Sequence, residues 1–225
     1  MEKCIICGKN KFRTAWNDKI RSSAKNFTKK KEKIFQCYNC DLVFLKKKKR
    51  ILENSSLTRK IFNKDNSIIE FLKFHTPREK AKLNFIKKII PLKNKKILES
   101  NCGAGILIKN LKKQSKLTAG LDNNFYRNHI EKEGHKFFSN LKEIKQSKIK
   151  FDVIFSLSEI EHKYDPINFI KDLKKILTKK GVIILRIPNY DNIYAKLLGK
   201  SFFKYDFRIS HNFYFSEKNL DLLFK

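Results

Sequence analysis

No stretch of this chain approaches the roughly eighteen consecutive apolar residues that a membrane-spanning helix needs. The opening Met1-Glu2-Lys3-Cys4 also lacks the apolar run of a secretory signal. Both absences point to the cytoplasm. Acidic side chains are scarce too: 22 of them face 52 Lys and Arg, leaving a formal charge of +30. Clustered basic residues release counterions from phosphates, so the excess raises nucleic acid as a partner. Here, however, the basic residues are mostly Lys and are spread along the whole chain, as on solvated faces. The two densest runs are Lys29-Lys30-Lys31-Glu32-Lys33 and Lys46-Lys47-Lys48-Lys49-Arg50. Aromatic residues do not interleave with them, which weakens a single-strand stacking platform. What is present is 225 residues, 41% of them hydrophobic, enough for one α/β domain with a small appendage.

Four of the five cysteines form two pairs, Cys4-Ile5-Ile6-Cys7-Gly8 and Cys37-Tyr38-Asn39-Cys40-Asp41. Two intervening residues let a tight turn aim both thiolates of a pair at one tetrahedral metal, and Gly8 can carry the backbone past the sulfurs. Zinc is the expected ion. Four protein ligands leave no open position, so it should hold the fold and do no chemistry. Disulfides, or a thioredoxin-like redox pair, are the weaker explanations in a reducing compartment. Short strands are expected at residues 16–21, 33–36 and 42–45, giving a ribbon over residues 1–50. So small a module cannot bury much apolar area, and the metal would replace the missing core.

Residues 51–75 read as a loosely helical linker with Ile68, Ile69, Leu72 and Phe74 as an apolar patch. A cleaner helix follows, with Thr76 as cap, Pro77 in the first turn, an apolar face of Ala81, Phe85, Ile86, Ile89 and Ile90, and Pro91 as the stop. Strand and helix candidates then alternate. Strands are expected at 96–99, 117–121, 136–138, 152–157 and 182–187, and helices at 106–113, 125–133 and 166–177, the last capped by Asp165. Such alternation builds a parallel sheet flanked by helices, with ligands at the carboxyl ends of the strands. At one such end the apolar strand of Ile97-Leu98-Glu99 enters the turn Ser100-Asn101-Cys102-Gly103-Ala104-Gly105. Asp122 lies about one β-α-β step further on, where a ribose-binding acid is expected. An adenosine-containing cofactor suits this pattern.

These residues resemble the class I S-adenosylmethionine-dependent methyltransferases. The turn from Ile97 to Gly105 is similar to their first motif, an apolar pair and an acid before G-x-G-x-G, with Asn101 in the first glycine's place. Asn tolerates left-handed backbone better than most residues. Gly120-Leu121-Asp122-Asn123 resembles the second motif, and Phe151-Asp152-Val153-Ile154 through Glu161-His162-Lys163-Tyr164-Asp165-Pro166 the later "FDvI…EH-x-x-DP" block. Leu177-Thr178-Lys179-Lys180-Gly181, Ile187-Pro188-Asn189 and His211-Asn212-Phe213-Tyr214-Phe215-Ser216 are similar to elements further on. The resemblance covers residues 76–225 in the family's order. It implies a Rossmann-like α/β domain behind a zinc ribbon, a combination like that of bacterial enzymes acting on sugars, polysaccharides or small metabolites. It also implies Glu99, Asn101, Gly103, Gly105 and Asp122 as cofactor-binding residues. Cys4, Cys7, Cys37 and Cys40 remain the metal ligands.

On the acceptor side the resemblance offers His162, with Glu161, as the catalytic group. An imidazole suits base chemistry near neutral pH. Equally, His162 could organise its loop. Some relatives of this class, the ubiquinone-biosynthesis O-methyltransferases among them, look as if they use an E-x-x-E-H cluster to hold a divalent ion; here Ser158 stands in the first position, which leaves only Glu161 and His162 and argues against a catalytic metal. O-methylation of a small-molecule or sugar acceptor is the leading expectation. RNA methylation stands second, supported by charge and ribbon but opposed by Phe155-Ser156-Leu157-Ser158, which lacks the proline pair of base-amine methylating enzymes. An NAD-dependent oxidoreductase would need a third glycine where Ile106-Leu107-Ile108 stands. A non-catalytic scaffold is the remaining alternative. Family members usually continue into two further strands. Without them Val182-Ile183-Ile184-Leu185 would be an unpaired edge, so either a truncated chain or a partner subunit, such as a second copy covering that edge, is expected.

Overall fold

The computed structural model describes residues 3–23, 25–47 and 65–224. The expected 51–75 linker and the second half of the Lys46–Arg50 run lie largely outside the described residues, as do the side chains of Ile68, Ile69 and Phe74.

In chain order the strands are β1 (Phe12–Asp18), β2 (Glu32–Cys37), β3 (Val43–Leu45), β4 (Lys96–Ser100), β5 (Leu117–Leu121), β6 (Lys136–Phe138), β7 (Phe151–Leu157), β8 (Leu177–Arg186) and β9 (Phe213–Tyr214). The helices are α1 (Asp65–Ile89), α2 (Ile106–Lys109), α3 (Arg127–Lys132), α4 (Leu141–Gln146), α5 (Pro166–Lys175), α6 (Ile193–Leu198), α7 (Lys200–Asp206) and α8 (Glu217–Phe224). The chain divides into two compact units. One gathers Met1–Ile51, Ser158–Ile170 and Arg186–Lys225, the other Leu52–Leu157 and Lys171–Leu185.

The first unit is organised by an antiparallel sheet of order β1-β2-β3-β9. The ribbon strands do not stand alone, because β9 pairs with β3 through Val43↔Tyr214 and Phe44↔Phe213. β1 begins earlier than expected, at Phe12, which pairs with Cys37 and packs edge-on against Phe44 at 5.2 Å. It ends where the Asp18 carboxylate accepts the Lys19 amide at 2.8 Å. Ile20, Ile34, Val43, Leu45, Phe207 and Tyr214 form the buried core of this unit. Phe207 is its centre, 5.6 Å from Trp16, 5.2 Å from Phe203 and 4.9 Å from Tyr214 between ring centroids. The buried Tyr214 hydroxyl is satisfied by donating to the Arg208 carbonyl at 3.0 Å and accepting its amide at 2.8 Å.

The second unit carries a sheet of order β6-β5-β4-β7-β8. The expected alternation of strands and helices builds it, with β4 paired in parallel to β5 on one side and β7 on the other. β7 and β4 are also tied through Asp152, whose carboxylate accepts the Lys96 amide at 2.9 Å and the Thr178 hydroxyl at 3.2 Å. One apolar cluster contains Leu83, Ile86, Leu92, Ile97, Leu107, Leu111, Val153 and Phe155. A second contains Cys102, Ile108, Tyr126, Ile130 and Phe137.

Three local expectations are corrected. Thr76 does not cap a helix: α1 runs through it and through Pro77, and the Thr76 hydroxyl donates back to the Leu72 carbonyl. Pro77, having no N–H, leaves the Lys73 carbonyl short of its helical donor, and the helix continues past it. The buried residues of α1 are Leu83 and Ile86, with half-buried Ile90 just past its end against the same cluster, whereas Ala81 is exposed and Phe85 and Ile89 are 66% and 65% exposed. β8 starts at Leu177 instead of Val182. It brings Gly181 so near the Phe151 carbonyl that a Cβ there would lie 2.9 Å from the oxygen.

Trp16 is the only tryptophan of the chain and touches the Phe207 cluster, so its fluorescence reports on the first unit. Phe207→Ala is expected to destabilise that unit by about 3–5 kcal/mol, read as a lower denaturant midpoint of Trp16 emission. An unchanged midpoint would show that this aromatic cluster does not hold the sheet.

Candidate functional site

The turn after β4 is built on left-handed backbone. Asn101, Gly103 and Gly105 have φ of 58°, 51° and 68°. Asn101 therefore adopts the conformation that a glycine would take, and its amide is anchored to the Leu121 carbonyl at 2.8 Å. The two glycines serve different ends. A Cβ on Gly105 would lie 2.4 Å from Ile130 Cδ1, the end of a side chain of α3 that would have to turn aside, and the left-handed φ itself favours glycine here. A Cβ on Gly103 would meet nothing within 4 Å, so its backbone borders open space.

Asp122, at the end of β5, is tied directly to this turn. Its Oδ2 accepts the Gly103 amide at 2.8 Å, and its Oδ1 accepts the Asn123 amide at 2.7 Å. Glu99, Asn101, Gly103, Ala104, Ile106 and Leu157 line a cavity together with His75, Glu79 and Lys82 of α1. Glu99 is buried, and its Oε2 has no hydrogen-bond partner among the described residues. Burial, reinforced by the charge of Glu79, raises its pKa well above the usual carboxylate range; the Ile108 backbone bond and Lys82 oppose this only in part. The structure thus brings Glu99, Asn101, Gly103, Gly105 and Asp122 into one turn system. Sequence reading missed His75, Glu79 and Lys82, although their spacing of four and three residues marks one face of a helix.

The four paired cysteines converge in the first unit, with all four sulfurs within 4.8 Å of one another. Cys4 and Cys40 sulfurs are 3.5 Å apart, as are those of Cys7 and Cys37. A disulfide requires about 2.05 Å, so all are free thiols. Sulfurs about 2.3 Å from a tetrahedral ion would stand about 3.8 Å from one another, close to the spacing found. These residues can hold a metal.

Glu161 and His162 sit in the short turn Ile160–His162, in the same unit. Burial and the charge of Glu159 push the Glu161 carboxyl up to about 7, against the pull of its own backbone hydrogen bond and of Arg186 and Arg208. Burial lowers the pKa of His162, opposed by its bond to the Ser210 carbonyl. His211, expected in its aromatic setting as a positional residue more than as a base, lies beside His162 with ring centroids 4.8 Å apart. Burial, helped by His162 and Arg208, pushes its pKa down to about 3. Ser158 has φ of 60°, and its hydroxyl accepts Arg186 Nη1 at 2.9 Å.

A family model described as a methyltransferase domain matches residues 72–225. That is more than half of the chain, and the chain belongs to this family. Its fold is that of the S-adenosylmethionine-dependent methyltransferases of class I. A SAM-dependent methyltransferase of Thermotoga maritima shares the fold at 21% identity and a TM-score of 0.51, covering 69% of this chain and 75% of that one. Among curated proteins, a tRNA U34 carboxymethyltransferase of Campylobacter fetus is 30% identical over 113 residues, 46% of this chain and 40% of the relative. A ubiquinone biosynthesis O-methyltransferase of Pelagibacter ubique is 32% identical over 107 residues, 44% of each. The chain spans less than half the length of these curated relatives.

Asp122→Ala removes an ionised acceptor from two backbone amides, each such bond contributing about 1.5–3 kcal/mol. Faster hydrogen exchange at the Gly103 and Asn123 amides is the expected result. Exchange as slow as in the parent chain would mean that the turn holds itself without Asp122.

Proposed function

We propose that this chain transfers a methyl group from S-adenosylmethionine to the oxygen of a small-molecule or sugar acceptor. The observation that carries the reading is the buried, unpartnered Glu99 carboxylate oxygen beside a cavity whose other wall includes the open backbone of Gly103. A buried acceptor without a donor is costly, and the ammonium at the methionine end of the donor would supply one. Asn101, Gly103 and Gly105 would let the backbone approach the donor's carboxylate and sugar. Asp122, at the end of β5 and bonded to this turn, is the acid assigned to the ribose hydroxyls. Bound there, the donor supplies an electrophilic methyl: its C–S bond breaks as the new C–O bond forms, and sulfur keeps the pair as a neutral thioether. The chain's own contribution is mainly positioning. Glu161 and His162 are assigned to the acceptor's proton.

The donor's ammonium is held best by an ionised Glu99, whereas burial favours the protonated acid in the free protein. Binding must therefore release a proton. Donor affinity measured by calorimetry is expected to rise with pH, by up to about tenfold per unit below the free-state pKa of Glu99. Glu99→Gln should abolish this slope and weaken binding about 10- to 100-fold. No heat and no thermal stabilisation at millimolar donor would overturn the function.

A second reading, an RNA acceptor, is favoured by the charge of +30 and by the tRNA-modifying relative. Transfer of labelled methyl to tRNA, falling steeply with salt, would select it over a small molecule.

Zinc is our assignment for Cys4, Cys7, Cys37 and Cys40, supported by the convergence of four free thiols. Its role is structural, since no coordination position is left open. Chelation should remove one equivalent of zinc and with it on the order of 10 kcal/mol of binding free energy, and Trp16 emission should shift towards that of the unfolded chain. Emission and thermal midpoint indifferent to a strong chelator would show that the sheet needs no ion.

A further inference from the structure

Two segments distant in sequence are locked together around Glu161 and His162. The Asn212 amide donates to the Glu161 carbonyl at 2.8 Å, and the Asn212 side chain donates to the His162 carbonyl at 2.9 Å. His162 Nδ1 lies 2.7 Å from the Ser210 carbonyl. A carbonyl can only accept, so Nδ1 carries the proton and Nε2 is left with its lone pair. These bonds deliver His211 to the same place, and one donor atom from each of Glu161, His162 and His211 lies within 4.8 Å of the others.

Two of the three are unsatisfied. Glu161 is 2% and His211 6% exposed, yet Glu161 Oε2 and His211 Nδ1 have no hydrogen-bond partner among the described residues. Nearby charged groups are committed elsewhere: Lys163 to Glu159 at 2.8 Å, and Arg186 to the Ser158 hydroxyl. Among the described residues no ion pair reaches Glu161. A buried carboxylate oxygen and a buried imidazole nitrogen, both orphaned and both beside a second imidazole whose free nitrogen is set by a backbone carbonyl, call for a shared electrophile. That carbonyl bond is also the arrangement by which metal-ligating histidines are oriented.

We propose that Glu161, His162 and His211 bind a divalent first-row transition ion. Two imidazoles and one carboxylate favour zinc, iron, cobalt or nickel over magnesium and calcium, which prefer all-oxygen shells. Bonds of about 2.0–2.1 Å need the donor atoms to close to roughly 3–3.5 Å of one another, an adjustment within reach of small side-chain rotations. Only three protein donors are engaged, so positions stay open for water or for an acceptor oxygen. The third ligand comes from a segment far along the chain and not from position 158, where serine stands. The inference rests on the assignment of Glu161 and His162 to the acceptor and replaces their part in it: as ligands they would hold the ion instead of taking a proton, and the ion would lower the pKa of an oxygen bound in an open position.

Cobalt(II) titration of the metal-free 225-residue chain tests this. The expected result is an equivalent with weak ligand-field absorption and no thiolate charge-transfer band, separate from the strongly absorbing thiolate equivalent. His211→Ala and Glu161→Gln should each weaken that nitrogen–oxygen equivalent by at least about tenfold and leave the thiolate equivalent unchanged. A parent chain that takes up cobalt only in thiolate form overturns the proposal, whether or not the variants fold. So does retention of the second equivalent in a folded His211→Ala chain. Methyl transfer without a second ion would sink this inference alone. A chain that binds the second ion but no methyl donor would sink the function and leave the ion site standing.

Discussion

Strand β4 is hydrogen-bonded along both of its edges, to β5 and to β7, and the candidate donor site depends on that. A strand enclosed on both sides cannot shift its register without breaking two ladders. Its last residues, Glu99 and Ser100, are therefore held level with Gly120 and Leu121 on one side and Phe155 and Ser156 on the other. The chain then leaves the sheet through left-handed backbone at Asn101, Gly103 and Gly105. Parallel pairing also sets the end of β5 beside that turn, within reach of the bond from the Gly103 amide to Asp122. The meeting of this turn with Asp122 is thus a consequence of sheet order, since β4 lies where the strand order reverses.

The first unit answers a different constraint. Three short ribbon strands bury too little to be stable, and two devices offset the deficit. One is the convergence of four thiols, and the other is β9 with the aromatic cluster around Phe207. Tyr214 contributes both a strand residue and a hydroxyl that satisfies the Arg208 backbone, so one side chain links sheet pairing to the loop that precedes His211. The same segment carries the Ser210 carbonyl and the Asn212 side chain that orient the turn of Glu161 and His162. Stability of this sheet and the arrangement of the Glu161 cluster are therefore coupled through a stretch of a few residues.

Much of the second unit was legible in advance because its signals are local. Apolar runs, the Asp165-Pro166 helix start and the glycine turn report on themselves, and all five strands of the main sheet fall where the pattern places them, with ends shifted by up to five residues. The misreadings share a cause. Thr76 and Pro77 have the chemistry of a helix start, yet α1 begins at Asp65, about three turns before them, and the Thr76 hydroxyl bonds back to Leu72 instead of capping. Phe85 and Ile89 were placed inward on hydrophobicity alone, while packing turned Leu83 and Ile86 to the core.

The sequence by itself determined the four-cysteine cluster, the parallel sheet and the strand-end turn from Glu99 to Asp122, because each depends on spacing within a few residues or on one repeating unit. Only the tertiary structure decided that β9 completes the ribbon sheet, that α1 brings Glu79 and Lys82 to the cavity of Glu99, and that His211 joins Glu161 and His162. Those three outcomes require segments far apart in the chain to meet. Such meetings are set by the summed burial of side chains such as Phe207 and Tyr214, and no local pattern encodes them.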